Sequence, residues 1–259
     1  MLLRTLLFQA AFYVFFIVAA PLLLPALLLP ARYTHWTGHF FGAATTGLHR
    51  WITGIKVEIR GRENIPAGPL LVAAKHQSMW ETVALVGLFD IPTFILKREL
   101  MRIPVFGWYL ARTGQIPVDR AGGRDAMKGL VERARAAVAE NRQLLIFPEG
   151  TRREPGAPPD YKAGVALLYR ELGIPCLPIA HNAGLFWPRR STRHAAGTIV
   201  LSILPPIPPG LTLKAFQTRL VADIEGESDR LLLEAADRGE GLFRETATAR
   251  LAELRASAT

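Results

Sequence analysis

The chain has 259 residues, enough for one large domain or two small ones, and half of them are hydrophobic. That hydrophobicity excludes intrinsic disorder. The single cysteine, Cys176, excludes a disulfide scaffold and fits a reducing compartment. Only 20% of residues are charged, yet the formal charge is +9, so an anionic partner is expected: nucleic acid, an anionic membrane or a phosphorylated substrate.

No charge occurs between Arg4 and Arg32. One continuous helix of that length would reach roughly 40 Å, more than a ~30 Å bilayer core requires. Pro21, Pro25 and Pro30 interrupt it, and the unbroken part, residues 5–20, is roughly 24 Å long. Two pictures follow: a kinked transmembrane helix, or a helix that turns near Pro21 and stays in one leaflet. Val18-Ala19-Ala20 looks like a signal-peptide cleavage site, but Pro21 directly after it disfavours cleavage, so the segment is expected to be retained. No other stretch is apolar enough to span a bilayer, which argues against a polytopic transporter. Trp36, Phe40, Ala44, Leu48, Trp51 and Ile52 then recur at helical spacing, on a helix suited to the membrane interface or to a core. Residues 1–54 are thus expected to form a membrane-anchoring helical segment.

From residue 55 the pattern changes. Short β-rich runs at 55–59, 69–74, 93–96, 115–118, 143–147, 175–180 and 197–204 alternate with helical stretches at 78–89, 105–112, 124–141 and 163–172. This predicts an α/β domain over residues 55–210, with a mostly parallel sheet flanked by helices. Ligands of such sheets gather at the carboxyl ends of strands. Residues 211–259 read as a C-terminal helical extension. Acidic residues outnumber basic ones from Leu213 onward, so the extension is expected to be a solvated appendage and the positive charge to belong to the body.

There is no Walker A loop, GxGxxG, HExxH, CxxC pair or GxSxG. Basic residues do not alternate with aromatics, which disfavours nucleic acid; the Arg-rich run Arg189, Arg190, Arg193 reads as an exposed loop. Chemistry concentrates at three strand ends. The run ending at Ala74 delivers Lys75-His76-Gln77-Ser78-Met79-Trp80-Glu81. With His76 in the loop before the helix, Glu81 can face it; a carboxylate on one imidazole nitrogen fixes the tautomer and frees the other as a base. Ser78-x-x-Glu81 is also a capping box, which explains both residues by helix chemistry alone. The strand near Val118 delivers Asp119-Arg120. The run ending at Phe147 delivers Pro148-Glu149-Gly150-Thr151-Arg152, in which Gly150 lets backbone approach a ligand and Arg152 offers a planar fork for phosphate. A His–acid pair without its own nucleophile, beside two arginines, suits activation of a hydroxyl on a phosphorylated substrate.

In these blocks the sequence resembles the membrane-associated glycerolipid acyltransferases, in particular the 1-acyl-glycerol-3-phosphate acyltransferases. His76 through Glu81 looks like the family's histidine, four residues, acid motif. Gly114 through Arg120, Phe147 through Arg152, and Leu177-Pro178-Ile179-Ala180 are similar to its other three blocks, in order. Lys97 through Trp108 also looks like bacterial members. The family most often has aspartate where this chain has Glu81, which implies altered reach.

The resemblance implies that His76 takes the proton from the sn-2 hydroxyl of lysophosphatidic acid, which attacks an acyl thioester, while Glu81 orients His76. It implies that Arg120 and Arg152 hold the phosphate, that Glu149 and Thr151 shape that pocket, and that Lys97 helps with the phosphate or the developing oxyanion. No metal or tightly bound cofactor is required, and no acyl-enzyme forms. The donor is acyl-CoA or acyl carrier protein. The partners are membrane lipids rather than nucleic acid, and the expected location is a bacterial inner membrane with the catalytic domain on the cytoplasmic side. Glycerol 3-phosphate or a lyso-aminolipid could serve as acceptor instead. A non-catalytic binder of anionic lipid would explain the basic body but not a histidine and an acid at one strand end.

Overall fold

Leu70–Ala74 (β2) is buried at every residue and forms the centre of a seven-stranded sheet. The structure, a computed structural model, describes residues 1–119 and 122–257, apart from the side chains of Arg32 and Arg124. The other strands are Ile55–Arg60 (β1), Pro92–Lys97 (β3), Ile116–Val118 (β4), Gln143–Ile146 (β5), Cys176–His181 (β6) and Gly197–Ile203 (β7). Their order is β1-β7-β6-β2-β5-β3-β4. All neighbours are parallel except β6 and β7, so the mostly parallel α/β sheet expected from the sequence is present. Pairing of Ala73 with Ile146 and of Ala74 with Ile179 puts the carboxyl ends of β2, β5 and β6 on one edge.

Alternate residues of β2 point to opposite faces, as a strand requires. Leu71 and Ala73 meet Leu130 and Ala134 of Gly123–Ala139 (α5) and Leu168 of Gly164–Leu172 (α6). Leu70, Val72 and Ala74 join the other layer, with Trp80 and Leu85. Trp80–Ala84 (α3) is shorter than the helix expected from residue 78, and a 3-10 turn, Leu85–Leu88, continues it.

The N-terminal segment is a helical hairpin. Leu2–Leu22 (α1) keeps Pro21 in its last turn, a 3-10 turn follows at Leu24–Leu28, and Ala31–Thr53 (α2) returns. The chain therefore turns just after Pro21 rather than running on as one long helix. α2 packs closely on α3: a Cβ on Gly42 would sit 2.6 Å from the Val83 carbonyl oxygen. α1 lies over α2 through Phe15 and Phe16 on Phe41, with centroids 5.5 and 5.4 Å apart. It is fastened at both ends. The His194 amide donates to Thr5 Oγ1 at 3.1 Å, and the hydroxyl of Tyr109, on Phe106–Arg112 (α4), donates to the Ala20 carbonyl at 3.0 Å. Leu3, Leu7, Val14, Ile17 and Leu22 remain exposed on the outer side, with Trp36 and Trp51 of α2. By length and composition α1 could cross a membrane.

Leu213–Asp237 (α7) corrects one expectation. It is not solvated: Phe216, Leu220, Ile224, Leu231, Leu232 and Ala235 are buried. Phe216 stacks on Tyr169 of α6 at 3.8 Å. Glu234 takes a two-pronged hydrogen bond from Arg60 of β1, at 2.9 and 2.6 Å. Lys214, Arg219, Arg230 and Asp237 lie exposed on its outer side. Glu245–Ser257 (α8) then buries Ala247.

Truncation of a large buried aromatic typically costs about 3–5 kcal/mol. Phe216→Ala is expected to lose stability in that range, read by denaturant unfolding in detergent. A loss under about 0.5 kcal/mol, the usual range for surface positions, would show that α7 does not belong to the core.

Candidate active site

β2 delivers the chain to its carboxyl edge at Lys75-His76. The Glu81 carboxylate, fully buried, reaches back from the first turn of α3. Its Oε1 accepts from His76 Nδ1 at 2.8 Å, from the Gln77 amide at 2.9 Å and from the Ser78 amide at 2.8 Å. Its Oε2 accepts from the Ser78 amide at 3.1 Å. The capping and histidine contacts are thus made by one carboxylate at once. Ser78 Oγ accepts from the Trp80 amide and donates to the Trp187 carbonyl. The His76 ring lies flat on Phe147, centroids 4.0 Å apart. With Nδ1 donating to Glu81, Nε2 carries the lone pair and has no partner among the described residues.

Burial opposes the charge on Glu81. The imidazoles of His181 and His76 and the Ser78 amide outweigh it, so the carboxyl titrates below the usual range. His181 was not singled out from the sequence. It closes β6, fully buried; its Nε2 donates to the Lys75 carbonyl at 2.8 Å and its Nδ1 accepts from the Ala183 amide. Nε2 also lies 3.8 Å from Glu81 Oε2. Burial holds His181 below the ordinary imidazole range, against the pull of Glu81. The available signal was its position, the carboxyl end of a buried strand, the same one that marked His76.

His76 opens onto a cleft of about 640 Å³. Lys97, Gly150, Thr151 and Arg152 line its polar part, joined by Arg189 and Arg190 of the run expected to be an exposed loop. Phe12, Phe16, Phe41, Phe94 and Phe106 line much of the rest, so α1 and α2 wall the cleft together with the sheet. Gly150 has φ +66°, which a residue with a side chain adopts poorly. The Arg152 guanidinium has no hydrogen-bond or ion-pair partner among the described residues. Burial disfavours its charge and so does neighbouring Arg189, against the pull of Glu81. Arg189 donates to Thr151 Oγ1 at 3.3 Å and to the Arg152 carbonyl at 3.0 Å. Lys97 stands exposed at the rim, paired with Glu99 at 3.0 Å.

Arg120, one of the expected site residues, lies outside the described residues. Glu149 turns the other way: its carboxylate is buried, accepts from Lys75 Nζ at 2.8 Å and from the His76 amide at 3.2 Å, and holds the loop from inside. Cys176 is fully buried, and burial pushes its thiol well up, so it supplies no thiolate.

Residues 56–182 match the family model described as Acyltransferase. The chain is 38% identical over 199 residues to the 1-acyl-sn-glycerol-3-phosphate acyltransferase of Pseudomonas aeruginosa, across 77% of this chain and 72% of that protein. It is 30% identical over 169 residues to the human 1-acyl-sn-glycerol-3-phosphate acyltransferase alpha, across 63% of this chain and 59% of that one. The crystal structure of the Thermotoga maritima 1-acyl-sn-glycerophosphate acyltransferase shares the fold, with a TM-score of 0.72 at 21% identity, over 88% of this chain and 97% of that one. Fold, family model and relatives define an acyltransferase. The chain belongs to the 1-acyl-sn-glycerol-3-phosphate acyltransferase family.

A carboxyl whose folded value lies below its unfolded one, about 4.3 for glutamate, stabilises the fold above that pH. The contribution is lost as pH falls through the folded value. Unfolding of Glu81→Gln, measured by denaturant titration from about pH 3 to about pH 6, should therefore weaken less steeply with acid than that of the wild type. Identical slopes would mean that Glu81 titrates as an ordinary carboxyl.

Proposed function

We propose that the protein transfers a fatty acyl group from an acyl thioester to the sn-2 hydroxyl of lysophosphatidic acid, giving phosphatidic acid. One observation carries this reading: His76 Nε2 and the Arg152 guanidinium, neither with a partner among the described residues, open onto one cleft that is otherwise largely apolar. Nε2 removes the hydroxyl proton as the oxygen attacks the thioester carbonyl. Nδ1 keeps its proton on Glu81, whose charge stabilises the imidazolium that forms. The tetrahedral intermediate collapses with loss of the C–S bond, and His76 returns the proton to the leaving thiolate. A half-buried charged fork is well matched to a phosphate, which favours a phosphorylated acceptor over a lyso-aminolipid. Thr151, Gly150 and Arg189 complete the anion end, and Lys97 and Arg120 are assigned to the same end from the family blocks.

The donor is acyl-CoA or acyl carrier protein; both bring negative charge to the arginines beside the cleft. The apolar outer faces of α1 and α2 support seating the hairpin in one leaflet of a bacterial inner membrane, with the domain on the cytoplasmic side. The lysolipid then enters from the bilayer, because α1 and α2 form part of the cleft wall.

Loss of a positioned general base removes about 10²–10⁴-fold in rate. His76→Ala should lose at least that much thioester consumption with lysophosphatidic acid while still sedimenting with vesicles; full turnover would remove His76 from the reaction. Arg152→Glu should raise the acceptor KM by about tenfold or more, the equivalent of one charge-assisted hydrogen bond. An unchanged KM across a panel of lysophosphatidic acid, glycerol 3-phosphate and a lyso-aminolipid would take the phosphate away from Arg152.

A further inference from the structure

Position in a dyad is set by backbone as much as by side chains. All four backbone groups of Lys75 and His76 are held by distant segments. The Lys75 amide donates to the Ile179 carbonyl at 2.9 Å, and the Lys75 carbonyl accepts from His181 at 2.8 Å. The His76 amide donates to Glu149 at 3.2 Å, and the His76 carbonyl accepts from the Arg153 amide at 2.8 Å. Three of these partners are fixed by β6 or by backbone. The fourth, Glu149, is a side chain, and its place depends on a buried cation.

That cation is Lys75 itself. Its side chain is 3% exposed, and Nζ donates to Glu149 Oε1 at 2.8 Å and to Glu225 Oε1 of α7 at 2.7 Å. Tyr161 donates its hydroxyl to the same Glu225 oxygen at 2.7 Å. Glu149 therefore spends one oxygen on Lys75 and the other on the His76 amide. A buried ion pair is an expensive way to gain stability, since apolar side chains of similar size do as well or better. Its effect here is on geometry. Burial pushes the Glu149 carboxyl up, and Lys75 acts against that push; an ionised carboxylate is the stronger acceptor for the His76 amide.

We propose that Lys75, braced from behind by Glu225 of α7, is a positioning residue that sets the backbone of His76 through Glu149. α7 thereby becomes part of the active-site support. The proposal rests on reading His76 as the base.

The test compares Lys75→Met, Glu225→Gln and the double variant Lys75→Met with Glu149→Gln. Each is assayed on full-length protein with the acceptor that the wild type turns over best. A displacement of about 1 Å at a reacting group can cost about 100-fold, so Lys75→Met should lower kcat on the order of 10- to 100-fold and leave the acceptor KM within about twofold. The double variant restores a neutral acceptor for the His76 amide and needs no cation, so it should recover most of the lost kcat. Glu225→Gln, on a partly exposed site, should shift kcat in the same direction by less. Hydrogen exchange, read by mass spectrometry, should be on the order of tenfold faster in the peptide containing His76 of Lys75→Met, with α5 unchanged. Wild-type kcat in Lys75→Met would overturn the proposal. So would a loss carried by KM, or a double variant no better than the single one. If the wild type turns over no acceptor, the functional reading fails separately, and the exchange comparison still decides whether Lys75 sets the loop.

Discussion

A carboxylate with no exposed surface must be ringed by donors, and Glu81 is. It takes two amides of the preceding loop and the Nδ1 proton of His76 on three hydrogen bonds of 2.8–2.9 Å. The same contacts that start α3 also turn the imidazole. Helix initiation and imidazole orientation are here one event, so the loop cannot relax without moving both. The sheet contributes by bringing β2, β5 and β6 into register, which sets His181 beneath Glu81 and Glu149 beneath His76. The cleft is walled because α2 lies close on α3 at Gly42 and α1 lies over α2.

The N-terminal hairpin joins two demands. Its outer side is apolar and exposed, while its inner side helps to wall the cleft in front of His76. α1 is fastened to the domain at Thr5 and at Ala20, near its two ends. A helix fixed at both ends orients whatever surface it rests on. The basic body and the charge-poor start of the chain, which look contradictory as composition, are thus two sides of one surface.

Much of this was legible in the sequence because periodicity is local. The alternation of strands and helices, the position of His76 at a strand end and the Gly150–Arg152 turn need only neighbouring residues. What was not legible depends on distance along the chain. Glu149 reads as a pocket residue because its block carries Thr151 and Arg152; only Lys75, 74 positions away, reveals that it faces inward. His181 lies one residue past the expected strand end and has no partner nearby in sequence except Ala183. For α7 a charge count concealed a regular apolar stripe, Phe216, Leu220 and Ile224, at four-residue spacing. Arg189 looked like loop decoration until folding brought it against Thr151.

The reversal of β7 against β6 has a consequence in time. After β7 the chain returns to the start of β6, where Ile207 bridges Cys176, so α7 must begin at the amino edge of the sheet. Glu225 then lies roughly 18 Å further along the helix, level with Lys75. During synthesis the apolar hairpin emerges first, His76 next, then Glu149 and His181, and Glu225 last. A nascent chain therefore carries its apolar hairpin before the His76 loop has all its supports, and Glu225, the last of them, reaches Lys75 only after every strand of the sheet has been made.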